Sequence, residues 1–314
     1  MKAKRAKKQR LQKIFVIILL VLVVTMGGYQ VNEYFVNRKK ADDITYTAAV
    51  FKVPMQQSIE VLMISASDDK ASVIDNQSNK IQYSDIKNYK EENLKRYGEY
   101  HALYPELLDA EVIWRVNTNL DYDFYTNVSE VEDPLSIIAV VNKYYYLERD
   151  FEPEDLVLVE NEAEKLYLRE EAKAAYLEMK EAMKKQDLKI NLSSAYRSYN
   201  TQEKLYNEEV EKNGKEMADI NIARPGHSEH QLGLVIDVNS GSVPFEPFGK
   251  TASYTWVKDN AHRFGYIIRY KGNPELTGYQ VEEWHLRYVG KDVAIDMYES
   301  NISVLEEFLD KRGL

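Results

Sequence analysis

Residues 224–237 read Arg-Pro-Gly-His-Ser-Glu-His-Gln-Leu-Gly-Leu-Val-Ile-Asp, and the end of this stretch predicts the strand on which the fold depends. Within residues 233–238 the side chains alternate, so Leu234 and its partners face one side and Asp237 faces the other. An ionised aspartate in such an apolar strand is costly to bury unless it is paired or binds a metal. His230 lies seven positions earlier across a predicted turn, so both side chains could reach one ion.

A second polar cluster lies at residues 278–290, which read Gly-Tyr-Gln-Val-Glu-Glu-Trp-His-Leu-Arg-Tyr-Val-Gly. A period of two places Trp284 on one face of the predicted strand and His285 on the other. His285 is therefore a third ligand candidate beside His230 and Asp237. Two imidazoles, one carboxylate and an open position match a catalytic zinc site, whereas calcium and magnesium prefer more oxygen ligands.

The chain contains no cysteine, which excludes disulfide bonds, thiolate nucleophiles and thiolate zinc sites. A structural zinc site would normally use four protein ligands and is therefore the weaker alternative. A non-haem iron site also uses two histidines and a carboxylate. An oxygenase of that kind needs reduced iron and organic cosubstrates, which fits poorly with the extracytoplasmic location that the N-terminus predicts.

Helical and strand patterns mix along the C-terminal part without regular alternation, which predicts an α+β domain over residues 134–314. Its expected architecture is a small antiparallel sheet flanked by helices around the metal site. The predicted strands cover residues 136–141, 189–194, 233–238, 266–270 and 283–289. The predicted helices cover residues 160–185, 200–213, 254–264 and 291–311, the second of them with an Asn200/Glu203 capping box and an end at Gly214.

The N-terminus has the pattern of a membrane anchor. Seven basic residues lie within residues 1–13, and no charged residue follows until Glu33. The apolar segment 14–31 is long enough to span a bilayer if its end lies at the interface, and the basic flank favours a cytoplasmic N-terminus. We expect a single-pass membrane protein with an extracytoplasmic body; secretion after signal cleavage is the alternative.

Residues 32–133 follow as a stalk and a smaller N-terminal region to which the sequence assigns no fold. A helical pattern covers residues 91–115, with Tyr97 and Tyr100 among the residues of its apolar face and a break at Pro105. Composition is 44% hydrophobic, enough for a packed core, and the net charge is −10 although the first segment is basic. The acidic charge of the chain after residue 13 argues against nucleic acid as a partner. The sequence does not predict the oligomeric state.

Three motifs in this order resemble the signature of the VanY-type D-alanyl-D-alanine carboxypeptidases. They are zinc metallopeptidases related to VanX dipeptidases and to L,D-carboxypeptidases. From the N-terminal side, the motifs are Ser-Ala-Tyr-Arg-Ser-Tyr-x-x-Gln at residues 194–202, Ser-x-His-x-x-Gly-x-x-x-Asp at residues 228–237, and Glu-x-Trp-His at residues 282–285. Together they span about a third of the chain and are specific, although each alone is weak.

The resemblance implies a role for each matching residue. It makes His230, Asp237 and His285 the zinc ligands, Glu282 the general base, and Arg197 the residue that binds the substrate carbonyl. It implies substrate contacts for three further residues, namely Ser228, Gln202 and Tyr196.

Two positions depart from the family pattern. Val235 replaces the usual alanine and would crowd the site slightly. Glu283 replaces a common proline, and strand alternation would place Glu283 on the face of His285. Glu283 therefore remains a local rival for the role of base.

The expected function is zinc-dependent removal of the terminal D-alanine from peptidoglycan stem peptides by an activated water. An L,D-carboxypeptidase that trims tetrapeptide stems would share every motif and is the main alternative. A non-catalytic wall-binding module is a further alternative, although the complete ligand set argues against it.

Overall fold

The computed structural model of the chain describes residues 83–159, 165–241 and 246–314. Strands in these ranges are β1 (Ser129–Glu130), β2 (Tyr145–Tyr146), β3 (Leu156–Val159), β4 (Leu166–Arg169), β5 (Asn191–Ser194), β6 (Val235–Asn239), β7 (Tyr266–Tyr270) and β8 (Glu282–Tyr288). The α-helices are α1 (Leu94–Leu103), α2 (Asp109–Asn117), α3 (Glu170–Lys184), α4 (Tyr199–Asn213), α5 (Lys215–Asn221), α6 (Ala252–Asn260), α7 (Pro274–Thr277), α8 (Lys291–Glu299) and α9 (Leu305–Arg312). Short 3-10 helices cover Glu91–Asn93, Glu229–Leu232, Phe248–Lys250 and Ala261–Phe264.

A four-stranded antiparallel sheet in the order β5-β6-β8-β7 lies at the centre of the described residues. Its strands are rich in β-branched and aromatic residues, which suit a pleated, half-buried surface. Asp237 on β6 and His285 on β8 are direct partners in the register. The prediction of an α+β fold with a small antiparallel sheet is confirmed, and so are the strands predicted at 189–194, 233–238, 266–270 and 283–289, to within two residues.

One face of the sheet forms the main core. Ile236, Leu286 and Ile268 on this face pack in one buried cluster with the apolar side of α3. The side chains that α3 contributes recur every three or four residues, the spacing of one helix face: Ala172, Ala175, Met179 and Met183. The opposite face carries Asp237, His285 and Ile267, the last of which packs with α8 and α9 in a second cluster.

Helices α1 and α2 form a tyrosine-rich cluster that includes Tyr83, Tyr97 and Tyr100. Their bounds confirm the helical pattern at 91–115 and the break near Pro105. Leu103 is 42% exposed, because α1 ends there and the chain turns away before α2 begins.

Several predicted elements differ from the structure. The prediction of one helix over residues 291–311 is wrong: the segment is divided into α8 and α9, and Asn301 between them has a left-handed φ of +56°. The predicted strand at 136–141 is wrong, because this segment is irregular. The carbonyls of Ile137 and Ala139 accept hydrogen bonds from the guanidinium of Arg287 and not from the amides of a neighbouring strand. The helix predicted at 160–185 begins only at Glu170, because the residues before it pair as β4 with β3.

The predicted cap of α4 is also wrong. The side chain of Ser198 caps this helix by accepting a hydrogen bond from the amide of Thr201, and Asn200 instead accepts one from Arg149. The helix therefore begins at Tyr199, one residue before the predicted start, and ends at Gly214 as predicted.

The predicted basic segment 1–13, the apolar segment 14–31 and residues 32–82 lie outside the described residues, so the membrane anchor stays a prediction. The domain boundary at residue 134 also stays a prediction. Among the residues that the structure describes, none of the helices combines the length and apolar character needed to cross a membrane.

Candidate metal centre

The three predicted ligands converge at the edge of a cavity. One potential ligand atom from each of His230, Asp237 and His285 lies within 4.8 Å of the other two. Nε2 of His230 is 3.3 Å from Oδ2 of Asp237, and Nδ1 of His285 is 3.3 Å from Oδ1 of the same carboxylate. The two imidazole rings meet edge to face, with their centroids 5.2 Å apart.

His230 is oriented by the backbone. It lies in the 3-10 helix Glu229–Leu232 and is buried. Nδ1 of its ring is 2.6 Å from the carbonyl oxygen of Ala195, which can only accept, so Nδ1 carries the proton. Burial lowers the pKa of His230, which favours the neutral ring, whose unprotonated Nε2 can bind a metal.

A left-handed glycine brings His230 and Asp237 to the same side. Gly233 has a φ of +67° and ends the 3-10 helix immediately before β6. A Cβ at this position would lie 2.7 Å from Cδ2 of Leu156. The turn thus requires glycine for both its backbone conformation and its close packing.

His285 is oriented by a buried carboxylate. Its Nε2 lies 3.3 Å from Oε2 of Glu229, which leaves Nδ1 directed at Asp237. Oε1 of Glu229 accepts hydrogen bonds from Arg269 at 2.9 Å and from Arg287 at 3.0 Å. A carboxylate that holds a ligand histidine in this way is the usual outer partner of a metal site.

Sequence reasoning missed Glu229, although the residue lies inside the first motif. The signal that could have found it is the pair Arg269 and Arg287, two cations in strands that otherwise look buried. Both side chains are almost fully buried, and burying a cation requires a carboxylate partner.

The donor set fits a divalent metal. Oδ1 of Asp237 is buried and has no hydrogen-bond partner among the described residues. Burial opposes ionisation of this carboxyl, yet the neighbouring imidazoles of His230 and His285 hold the pKa of Asp237 far below its usual range. An ionised carboxylate whose two oxygens each lie 3.3 Å from one imidazole nitrogen matches the two-histidine, one-carboxylate zinc site.

Arg197 lies beside the three ligands. Its guanidinium donates to Oε1 of Gln202 at 2.7 Å and to Oγ of Ser194 at 2.9 Å, and it lies 3.7 Å from Asp237. Burial lowers the pKa of Arg197, while the Asp237 carboxylate opposes that shift. The side chain stays a cation because arginine is not deprotonated in proteins, and it lines the cavity.

Glu282, and not Glu283, lies with the ligands. Oε2 of Glu282 is 3.4 Å from Nδ1 of His285, and burial raises the pKa of Glu282 above its usual range. The carboxylate of Glu283 lies against Gly249, where an added Cβ would be 2.6 Å from it. The two carboxylates separate because the pairing is irregular here: the two-residue step from Ile268 to Tyr270 on β7 lies opposite a four-residue step, from Leu286 to Glu282, on β8.

A cavity of about 240 Å³ opens in front of these groups. Its lining includes Ser228, His227 and Trp284 in addition to the three ligands, Arg197 and Glu282. The indole of Trp284 is 40% exposed. The cavity can take the end of a peptide rather than its whole length.

The three residues for which the resemblance implies substrate contacts have different surroundings in the structure. Ser228 is buried and lines the cavity. Gln202 also lines it, but its side chain is engaged: it accepts from Arg197 and donates to the carbonyl of Ala223 at 2.8 Å. Tyr196 lies outside the lining, and its hydroxyl donates to Glu152.

Comparison with known proteins gives consistent matches. Residues 165–291 match the family model described as VanY, D-alanyl-D-alanine carboxypeptidase. The Bacillus subtilis protein YodJ, named for an inferred carboxypeptidase activity, is 40% identical over 209 residues, which cover 62% of this chain and 76% of that protein.

Two further matches have named activities. VanXYC of Enterococcus gallinarum, a bifunctional D-Ala-D-Ala dipeptidase and carboxypeptidase, is 30% identical over 162 residues, which cover 50% of this chain and 85% of that protein. The solved structure of the LdcB LD-carboxypeptidase, studied for its recognition of peptidoglycan, is 41% identical, with a TM-score of 0.56 over 59% of this chain and 91% of that chain.

Proposed function

Because the chain belongs to the VanY family of carboxypeptidases, which includes L,D-carboxypeptidases, we propose that it is a zinc enzyme that removes the terminal D-alanine from peptidoglycan stem peptides. The observation that carries the proposal is the convergence of His230, Asp237 and His285 beside a cavity that also holds Arg197 and Glu282. The ligand set leaves a coordination position open, as hydrolytic zinc sites require.

The residues around the ligands divide the chemistry. Zinc held by His230, Asp237 and His285 would supply Lewis acidity and lower the pKa of a bound water. Glu282 takes the proton of the attacking water and returns it to the departing amine, a role that suits a carboxyl whose pKa burial raises. Arg197, fixed by Gln202 and Ser194, donates hydrogen bonds to the carbonyl oxygen as negative charge develops there.

A second candidate function is L,D-carboxypeptidase activity on tetrapeptide stems. It is supported by the 41% identity with LdcB over 91% of that structure. The same residues would perform either reaction, because the difference lies in the stereochemistry of the residue before the scissile bond.

We also propose that the catalytic part works outside the cytoplasm, attached to the membrane by residues 14–31. The basic residues before this segment and its uncharged, apolar character support the proposal. Secretion after cleavage would give the same location without the anchor.

The test is to incubate the full-length, zinc-loaded chain with pentapeptide and tetrapeptide muropeptides and to weigh the products. Loss of one D-alanine from the pentapeptide supports the D,D reaction, and loss from the tetrapeptide supports the L,D reaction. A chain that binds zinc but hydrolyses neither substrate would contradict both and would favour a wall-binding module.

A further inference from the structure

A buried chain of charged groups joins the ligand His285 to the last helix. From Glu229, which contacts Nε2 of His285, the chain continues to Arg269 at 2.9 Å, and Nη2 of Arg269 donates to Oε1 of Glu306 at 2.7 Å. The side chains of Glu229, Arg269 and Glu306 are 0%, 1% and 7% exposed. Glu306 lies on α9, beyond residues 165–291 that match the family model.

The same oxygen of Glu306 also reaches the other side of the cavity. It accepts a hydrogen bond from the side-chain amide of Asn142 at 2.9 Å. The backbone carbonyl of Asn142 accepts a hydrogen bond from Nδ1 of His227 at 2.7 Å, and His227 lines the cavity. One carboxylate of the C-terminal helix is thus connected to the metal ligand and to the cavity wall.

The charges explain why a second carboxylate is needed. Glu229 is approached by two guanidinium groups, those of Arg269 and Arg287, and by the imidazole of His285. Arg287 has three backbone carbonyls as additional acceptors, those of Ile137, Ala139 and Tyr288. Arg269 has no acceptor other than Glu229 and Glu306 among the described residues. Without Glu306, Arg269 would be held by Glu229 alone, so the guanidinium, and with it the Glu229 carboxylate that contacts His285, would be less firmly fixed.

We propose that Glu306 is a positioning residue of the metal centre: it anchors Arg269, which fixes Glu229, which in turn holds His285 with Nδ1 directed at Asp237. The inference rests on the proposed zinc site and adds to it a residue from outside the family segment.

The test measures zinc affinity by competition with a chromophoric chelator, using the full-length chain. Outer partners of metal ligands change metal affinity by roughly tenfold to a hundredfold, and we expect this loss for Glu229→Gln. Glu306→Gln acts through one more residue, and we expect a loss of roughly threefold to tenfold. Glu307→Gln is the matched control, because it removes the same charge from the same helix at a residue that pairs with Lys311.

A second measurement separates positioning from general stability. With cobalt(II) in place of zinc, the visible absorption bands report ligand geometry, and we expect them to change in Glu306→Gln and not in Glu307→Gln. The variant with both Glu229→Gln and Glu306→Gln should bind zinc no more weakly than Glu229→Gln alone, since both residues act along one path.

A variant that keeps the fold guards against simple unfolding. Replacing the pair together, as Arg269→Met with Glu306→Leu, removes the buried charges as a unit, which proteins often tolerate. We expect this folded variant to lose zinc affinity as Glu306→Gln does.

The outcomes are distinct. If Glu306→Gln and the double replacement remain folded and match Glu307→Gln in zinc affinity and cobalt spectrum, the positioning role is contradicted while the zinc site stands. If the wild type binds no zinc, the proposed function fails and this inference fails with it.

Discussion

Glu282 and Glu283 are neighbours in sequence, but the structure directs them to different surroundings. Glu282 contacts His285 in the cavity, whereas Glu283 lies against Gly249. Strand alternation predicts the opposite arrangement, and the irregular pairing of β7 with β8 overrides it. A bulge of this kind depends on the partner strand, so one strand's residues do not reveal it.

Glu282→Gln is therefore expected to lower kcat by roughly a hundredfold to ten-thousandfold, because the variant cannot accept the proton of water. Zinc content should stay at the wild-type level, since Glu282 lies outside the three-residue ligand group. The measurement is D-alanine release together with metal analysis. Glu283→Gln is the matched control and should stay within a few-fold of wild type. Equal losses in both variants would show that the assignment of the base is wrong.

Arg197→Met should lower kcat by roughly a hundredfold to a thousandfold, the usual effect of losing one donor to a developing oxyanion. Arg149 is a suitable control, because it is exposed and pairs with Glu203 away from the cavity. Steady-state kinetics of Arg197→Met and Arg149→Met distinguish the roles. A rise in KM alone for Arg197→Met would indicate that Arg197 only binds substrate.

Lys143 gives the protein a measurable pH dependence. Burial lowers its pKa to about 8, while its ammonium group lies over the ring of Tyr279 and donates to the carbonyl of Asp219. The unfolded chain holds this proton up to about pH 10.5, so between pH 8 and 10 the unfolded state binds more protons. Stability from this group therefore rises with pH, by an amount on the order of 2 kcal/mol.

Denaturant unfolding of wild type and Lys143→Met at several pH values from 7 to 10 measures this contribution. The wild type should gain stability relative to the variant as the pH rises. Parallel curves would mean that Lys143 keeps an ordinary pKa in the folded protein.

At the scale of elements, the turn between the 3-10 helix and β6 is the most constrained connection near the site. Gly233→Ala places a Cβ in a left-handed conformation and against Leu156, so we expect a loss of more than about 1 kcal/mol of unfolding free energy. Gly272 has no neighbour within 4 Å of an added Cβ, and its φ lies outside the left-handed region, so Gly272→Ala is the control. Thermal unfolding of the two variants measures this difference. Similar melting temperatures for Gly233→Ala and Gly272→Ala would show that the turn does not require glycine at residue 233.

Helices and strands could be predicted from the sequence where the spacing of apolar residues is regular. The strands β6, β7 and β8 and the face of α3 follow from alternation or from a spacing of three to four residues. The segment 136–141 has an apolar strand pattern, but its carbonyls bind the guanidinium of Arg287, which lies about 150 residues later in sequence. Such a distant partner leaves no signal in the local pattern.

The proposed metal ligands were predictable because Asp237 and His285 are polar residues in apolar strands and His230 lies seven positions before Asp237; the family motifs added Arg197 and Glu282. The support behind the ligands was not, because Glu229 and Glu306 are ordinary glutamates until the fold brings arginines to them. Tyr196 looked equivalent to Arg197 in the motif, yet it faces Glu152 outside the cavity.

At the scale of the whole molecule, Asn117 joins the first described helices to the last one. Its side chain accepts from Tyr97 and Asn93, and it donates to the carbonyl of Asn88 and to Asp310 on α9. Asn117→Ala would leave several partners unpaired, and we expect a loss of about 2 kcal/mol in unfolding free energy.

The kinetics of Asn117→Ala on muropeptides should equal those of wild type, because the residue lies outside the cavity lining. Asn213→Ala serves as the control, since Asn213 is exposed and hydrogen-bonds only to Glu209 among the described residues. A wild-type unfolding curve for Asn117→Ala would show that this junction contributes little.

The separation of the ligands along the chain has a consequence for damaged molecules. His230 and Asp237 lie within eight residues of each other, but His285 comes 48 positions after Asp237. A molecule whose synthesis stops before residue 285, or which loses its C-terminal part after proteolysis between residues 237 and 285, would keep only two of the three proposed ligands and would hold a metal ion weakly. If the proposed function holds, an incomplete polypeptide therefore could not trim stem peptides.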